Sequence, residues 1–473
     1  MISGNGKNKM NLLAVLITLF LAINTACSNE PVSFDGESIK EVIALLASAE
    51  FEGRRSGSRG GARAAEYLAT ELRQAGLQPG GPNSSFSQVF ELEFFQVREA
   101  GLVIDNRLST ETFSLNRHFT PLRQSMQSRR RGLAVYAGHG LSIAGYNDFS
   151  RLETKDRFVL VSWNLPPFLA GRISPEQRLA ALAELNPAAV LVFCPENDSF
   201  LKKSSFELPF PLMLVSREVA DFLLLAKGRT IDEAEKKIRE STAPFSLELN
   251  ARVSLNIDAV YDPRRRTENL FASIPGSDPE IGSEIIMVGA HYDHLGKSPD
   301  QGIYYGANDN ASGTAVLLEV VKRLARGRPG RRTITAAFWS AEESNLLGTN
   351  NFFREPFVEK SLIKAYLNLD MGGQEKNVVN VLFDPARKKN WQMIAAKLPP
   401  KILPWIRTGD DAGQSSDHLV FSRQGIPSFL FGAPRPPYNY HTVFDRVELI
   451  NPLSLARTAL VLFHCLSALA EIQ

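Results

Sequence analysis

The 473-residue sequence predicts an α/β fold, a mostly parallel central sheet flanked by helices, with a mainly-β module inserted into it. Three observations carry that expectation. Past residue 251, short strand-like runs alternate with helical ones: "EIIMVGAHYDHLG", "SGTAVLLEVVKRLARG", "RTITAAFWSAEE", "AYLNLDMGG", "VVNVLF" and "IPSFLFGA". The strand-like runs are apolar at nearly every position, as strands covered on both faces are, and such alternation is the pattern of a parallel layer. From 113 to 250 the texture is different, with short runs "GLAVYAG", "RFVLVSW" and "AAVLVF". The chain is also 44% hydrophobic and 22% charged, enough for two or three cores at this length.

The elements follow in order. Residues 1–27 read as an export signal: Lys7 and Lys9 precede "NLLAVLITLFLAI", which is too short to span a membrane with confidence, and "NTACSNE" follows. Ala26 before Cys27 has the form of a bacterial lipoprotein cleavage site, with Cys27 as the lipidated residue, although the position three before Cys27 is Asn24 where a large aliphatic residue is usual. The expected location is the bacterial cell envelope, lipid-anchored or periplasmic, with secretion as the alternative. Residues 35–112 form the first part of the main domain, where Ala65, Leu68, Leu72 and Leu77 have helical spacing and Gly76 and Pro79 are stop signals. In the 113–250 insert, "SPEQRLAALAELNP" is a helix capped by Ser174 with Pro175 at its first position. Residues 251–473 complete the main domain.

Charge and cysteine usage exclude several functions. With 53 Lys plus Arg against 51 Asp plus Glu there is no footprint for nucleic acid, and the runs Arg129–Arg131 and Arg264–Arg266 read as solvated loops. Three cysteines exclude a disulfide scaffold and a thiolate zinc site; Cys194 and Cys465 lie in apolar runs and read as buried small hydrophobes.

Ligands of open α/β sheets bind beyond the carboxyl ends of the strands, so the residues ending each apolar run are the candidates. "EIIMVGA" ends in His291-Tyr292-Asp293-His294, "TITAAFWSA" in Glu342-Glu343 and "AYLNL" in Asp370; Asp309 stands before a helix starting near Ser312, and His441 follows "FLFGA". The positive end of that helix is expected to hold Asp309 ionised. Singly, each has an ordinary explanation as a cap, a turn residue or a bonded histidine. Five together do not. Two imidazoles and three carboxylates without a thiolate suit hydrolytic zinc, with cobalt or manganese as possible occupants, and would hold two ions sharing one carboxylate.

"AHYDHLG", "GANDNASG", "WSAEESNLLG", "LNLDMGG", "SSDHLVF" and "YHTVFD" occur in the order and approximate spacing of the M28 metallopeptidases, the co-catalytic zinc aminopeptidases and carboxypeptidases. The resemblance runs from "LASAEFEGRRSGSRG" to "YHTVFDRVELINP". It implies the zinc exopeptidase fold, peptide substrates and two zinc ions. His291 and Asp370 are then ligands of one ion, Asp309 the bridge, Glu343 and His441 ligands of the other, and Glu342 the general base. Asp293 is the implied carboxylate behind His291, Asp445 that behind His441, and Tyr440 an oxyanion partner. Compact family members have a tyrosine ahead of the "SDH" element where this chain has Gly413, which leaves the oxyanion partner open. The insert resembles a protease-associated domain, implied to roof the cleft without supplying a ligand. The function expected is a di-zinc exopeptidase, an aminopeptidase first and a carboxypeptidase or dipeptide-specific enzyme second. A one-zinc glutaminyl cyclase and a non-catalytic receptor-like ectodomain are the rivals, both disfavoured by the full ligand set.

Overall fold

A computed structural model describes residues 32–122, 127–195, 208–375 and 378–472. The export segment and Cys27 lie outside the described residues. The chain opens with helices α1 (Gly36–Leu46) and α2 (Arg59–Gln74), then the 19-residue strand β1 (Ser87–Asp105). The insert follows with β2 (Phe119–Pro121), β3 (Ser128–Ala137), β4 (Phe158–Ser162), α3 (Pro175–Glu184), β5 (Ala189–Phe193), β6 (Leu212–Val215), α4 (Arg217–Leu225) and α5 (Ile231–Ser241). The 29-residue strand β7 (Ser246–Ile274) returns antiparallel along β1. The main domain then continues through β8 (Ile285–His291), α6 (Gly313–Ala325), β9 (Thr333–Trp339), α7 (Leu347–Arg354), β10 (Ile363–Asp370), β11 (Val379–Leu382), β12 (Ile406–Gly409), β13 (Ser428–Gly432) and α8 (Pro452–Glu471).

In the main domain the strand order is β12-β11-β13-β10-β8-β9-β7. Strands β9, β8, β10 and β13 run parallel, with β7 antiparallel to β9 at one side and β11 antiparallel to β13 at the other. All seven residues of β8 are buried, which fits its two-faced apolar run. One face packs on α1, α2, α6 and α8 through residues such as Ile43, Leu68, Val316 and Leu462; the other closes on Phe271, Trp339, Phe352 and Phe421. The last helix, α8, is long and apolar enough to cross a membrane, yet Leu455, Leu462 and Leu466 are fully buried against α1 and α6, so in this fold it is a core helix. Leu77 packs in the core but falls beyond α2, after Gly76 in the left-handed conformation ends it.

The insert packs around two cores, one gathering its Phe158, Leu191, Met213 and Leu223 against Leu102 of β1 and Val253 of β7, another gathering Val159, Leu179 and Val192. Strands β3 to β6 run parallel, and helices α4 and α5 add to the single helix the sequence reading picked out. Ser174 caps α3 in a two-way capping box with Gln177. Cys465 is buried as expected, whereas Cys194 is only half-buried.

Candidate metal centre

Four parallel strands deliver their carboxyl ends to one point, and the loops beyond them carry the polar side chains. His291 is the last residue of β8 and Asp370 the last of β10. Past β9 the chain turns through Ala341 in the left-handed region (φ 59°) and presents Glu342 and Glu343. Asp309 lies in the loop leading into α6, and His441 in the loop after β13, itself left-handed at φ 55°. Such backbone conformations at non-glycine residues cost energy and gather at functional sites.

These side chains converge in two overlapping groups. In the first, His291 Nε2 lies 3.5 Å from Asp309 Oδ1 and 3.4 Å from Asp370 Oδ1. In the second, His441 Nε2 lies 3.2 Å from Asp309 Oδ2 and 3.1 Å from Glu343 Oε2, while His294 Nδ1 lies 2.8 Å from Glu343 Oε1 and 3.6 Å from Asp309 Oδ2. Asp309 thus offers one oxygen to each group. Donors bonded at about 2.0–2.2 Å to a tetrahedral zinc stand about 3.3–3.6 Å apart, the spacing of His291 to Asp309 and Asp370 and of His294 to Asp309, while the contacts of Glu343 and His441 are shorter. Asp309 Oδ2, Asp370 Oδ1 and His441 Nε2 are buried with no hydrogen bond satisfying them among the described residues. Buried polar atoms left this way are costly, and cations between them would remove the cost. The residues fit two divalent ions.

The surrounding chain fixes this geometry. Asp445 accepts the amides of Asn308 and Asp309 at 2.9–3.1 Å and so holds the backbone of the shared carboxylate. That corrects the expected role of Asp445 behind His441: the turn from Asn439 through Thr442 directs it into the Asn308 loop. Asn310 accepts from Gly313 and Met371 and donates to Leu369, tying the Asp309 loop to the Asp370 loop. Behind His291, the nearest partner of Nδ1 is the backbone carbonyl of Asp293 at 3.2 Å; the Asp293 carboxylate is 3.7 Å from Nδ1 and accepts the Glu342 amide at 3.1 Å. Beneath, Trp339 donates to Tyr366, Tyr366 to Asn368 and Asn368 to Ser416. Gly289 makes room, since a Cβ there would lie 2.4 Å from both Trp339 Nε1 and Tyr366 Oη.

Two residues without an assigned role in the sequence are central. His294 belongs to the second donor group. Arg54 is fully buried and donates to four backbone carbonyls, Nε to Tyr292, Nη1 to Leu46 and Tyr305, Nη2 to Gly306, at 2.7–2.9 Å. Two residues on, Ser56 accepts the Ala341 amide at 2.7 Å, so one short segment braces three of the loops that carry the donor groups. His294 was visible as part of the strand-end run, whereas Arg54 carried only the signal of an Arg pair after a helical stretch.

Burial dominates the electrostatics. Burial, with Asp417, Asp370 and Glu343 nearby, pushes the Glu342 carboxyl well above its ordinary range against the pull of His291. Burial opposes ionisation of Glu343 too, but hydrogen bonds from His294 and His441 win and hold it well below that range. Burial and neighbouring Glu343 raise Asp309 above the ordinary carboxyl range, against the pull of His294, His441 and His291, so burial and charge outweigh the helix end there. Arg54 is pulled down to about 10 by burial, with Asp445, Asp309, Asp293 and Glu343 opposing. Tyr440 stacks on His441 at 3.7 Å between ring centres, and burial together with Asp309 and Glu343 raises its hydroxyl, so it stays protonated. Gly413 (φ 83°) faces open space and supplies no side chain.

Fold and site together define an α/β protein of the zinc-aminopeptidase architecture. Over 91% of the chain it is similar to an aminopeptidase from Aneurinibacillus sp. strain AM-1 (TM-score 0.59, 20% identity, 93% of that chain), and over 94% to BSAP, a zinc aminopeptidase from Bacillus subtilis (TM-score 0.59, 18% identity, 97% of that chain). Residues 269–466 match the family model described as Peptidase family M28. Among curated proteins the chain is similar to Aminopeptidase YwaD of Bacillus subtilis (32% identity over 178 residues, 36% of this chain and 37% of the relative). It also resembles a probable leucine aminopeptidase of Arthroderma otae (36% over 115 residues, 23% and 30%). These matched segments span only 37% and 30% of the two relatives' own lengths.

Proposed function

We propose that the protein is a di-zinc exopeptidase acting as an aminopeptidase on peptides. The observation that carries this reading is the two-group donor set sharing Asp309, beside a second glutamate that is half-buried and not part of either group. His291, Asp309 and Asp370 would hold one ion; Asp309, Glu343 and His441 the other. When bound, such ions supply Lewis acidity toward a scissile carbonyl and make water acidic enough to ionise near neutral pH. Glu342 takes a proton from the attacking water on its carboxylate and returns it to the departing amine, and its raised pKa brings it toward the range where a general base works best. The amide bond to Asp293 fixes the start of the Glu342 side chain. The Tyr440 hydroxyl, kept protonated beside His441, would donate to the developing oxyanion.

Carboxypeptidase or dipeptide-specific action is the second reading, favoured by a 460 Å³ cavity near the His294 loop lined by Arg55, Arg59, Arg98, Arg265 and Lys297, groups that could receive a substrate carboxylate. The test is a mass-spectrometric digest of free, N-blocked and C-blocked peptides with the metal-loaded protein. An aminopeptidase spares only the N-blocked set and a carboxypeptidase only the C-blocked one; a protein that cleaves none sinks both.

The 113–250 insert acts as a protease-associated domain that limits substrate access. Its Asn116 donates to Ser298 and Asp300 at 3.0–3.1 Å, joining it to the loop that follows His294. Cys27 carries a lipid anchor that holds the mature chain in the envelope.

A further inference from the structure

His294 stands outside the five-residue set that the family resemblance supplies, and its surroundings are built for it. The imidazole is completely buried, and the ring reaches the centre because Gly306 (φ 58°) leaves it room: a Cβ on Gly306 would lie 2.5 Å from His294 Cγ and Cδ2. Arg54 fixes that glycine from behind by donating to its carbonyl at 2.8 Å. The ring stands edge-to-face with His441 at 5.8 Å between centres, so the two imidazoles approach the same point from different sides. Nε2 has no hydrogen-bond partner among the described residues, and the role of the ring rests on Nδ1.

We infer that His294 is a metal ligand through Nδ1, giving the second position four protein donor groups, His294, His441, Asp309 and Glu343, against three at the first. Four donor groups close a tetrahedral site, whereas three leave a position free for water or substrate. The open position then belongs to the ion held by His291, Asp309 and Asp370. That is the side where Asp293 binds both the His291 ring through its carbonyl and the Glu342 amide through its carboxylate. The second ion is the tightly held one, and the first is the exchangeable one that faces the reaction. This inference rests on the metal-centre reading above, and the rival is that Nδ1 keeps its proton and only orients Glu343 across 2.8 Å.

The rival is separable without measuring activity. His291 and His441 face their groups through Nε2, and His294 alone does so through Nδ1. Full-length protein labelled with ¹⁵N-histidine and loaded with ¹¹³Cd should therefore show two rings coupled to cadmium through Nε2 and one through Nδ1. Two bound ions with no Nδ1-coupled ring would overturn the inference while leaving the metal centre intact; a protein that binds no ion overturns both. Because this measurement uses the wild-type chain, a variant that misfolds does not decide it. His294→Asn adds a second reading, since its amide can still donate to Glu343. A ligand role predicts that the tight ion weakens by more than roughly 100-fold, the upper end for residues that only support ligands. Two ions held at wild-type affinity by His294→Asn would show an orienting donor instead.

Discussion

The backbone amide of Glu342 is held 3.1 Å from the carboxylate of Asp293, the residue two places beyond His291. One carboxylate therefore sets the start of the Glu342 side chain relative to the first donor group, while Glu343 is turned toward His294 and His441. Glu342→Gln should retain two ions per chain and lose roughly two to four orders of magnitude in kcat. Glu343→Gln should lose one ion, and excess zinc should partly restore it. Metal analysis alongside kinetics checks both. Wild-type turnover in Glu342→Gln would remove it as the base.

Arg54→Met would leave four carbonyls without a donor and four acidic neighbours without their buried cation. The expected loss is about 3–5 kcal/mol of stability, with metal affinity lowered roughly 10–100-fold. Arg54→Lys should recover little, because a point-like ammonium cannot reproduce the fork. Denaturant unfolding and zinc titration measure the two effects separately; unchanged zinc affinity in a folded Arg54→Met would count against its bracing role.

His139 in the insert is buried, donates Nδ1–H to the Ser162 carbonyl at 3.1 Å, and is pushed down to about 4 mainly by burial. Unfolded, it takes up a proton below about 6.5, so stability falls as the pH drops from about 6.5 toward 4. At pH 5 that amounts to about 2 kcal/mol. Neighbouring Asp148, raised to about 6, works in the opposite sense, so the measurement is the difference between wild type and His139→Gln. The variant should lose less stability between pH 7.5 and pH 5; parallel curves would show that the ring is protonated in the fold.

Wild-type protein made in a bacterial host should label with a fatty-acid analogue and partition into detergent, and Cys27→Ser should do neither. Equal behaviour of the two would dispose of the lipid anchor.

The strand-end candidates were legible because an apolar run that stops at a histidine or an acid marks a sheet edge, and His291, Asp370 and the Glu pair all stand at such stops. Contributions that depend on the chain returning from elsewhere were not. Arg54 bonds to carbonyls as far as 252 residues away, and carbonyls leave no trace in side-chain patterns. His294 needed Gly306 in the left-handed region beside it, and Asp445 was misread because four residues of spacing do not reveal a turn that points the carboxylate at Asn308. In the insert, Thr230 and Glu233 form the capping box that opens α5, a helix start legible from a threonine followed three residues later by a glutamate.

The paired strands β1 and β7 are the arm on which the insert rides. At about 3.3 Å per residue, β1 alone, with 19 residues, reaches about 60 Å. The pairing slips register twice, between Asp258 and Ala259 and between Asp262 and Arg265, where bulges bend and twist a ribbon. A pivot of about 5° there swings the far end, about 40 Å away, by about 3 Å. The tilt of the insert is thus geared to the pitch of one ribbon, and a single inserted or deleted residue at either slip would change it while His291, Asp309, Asp370, Glu343 and His441, all outside the ribbon, keep their own anchors.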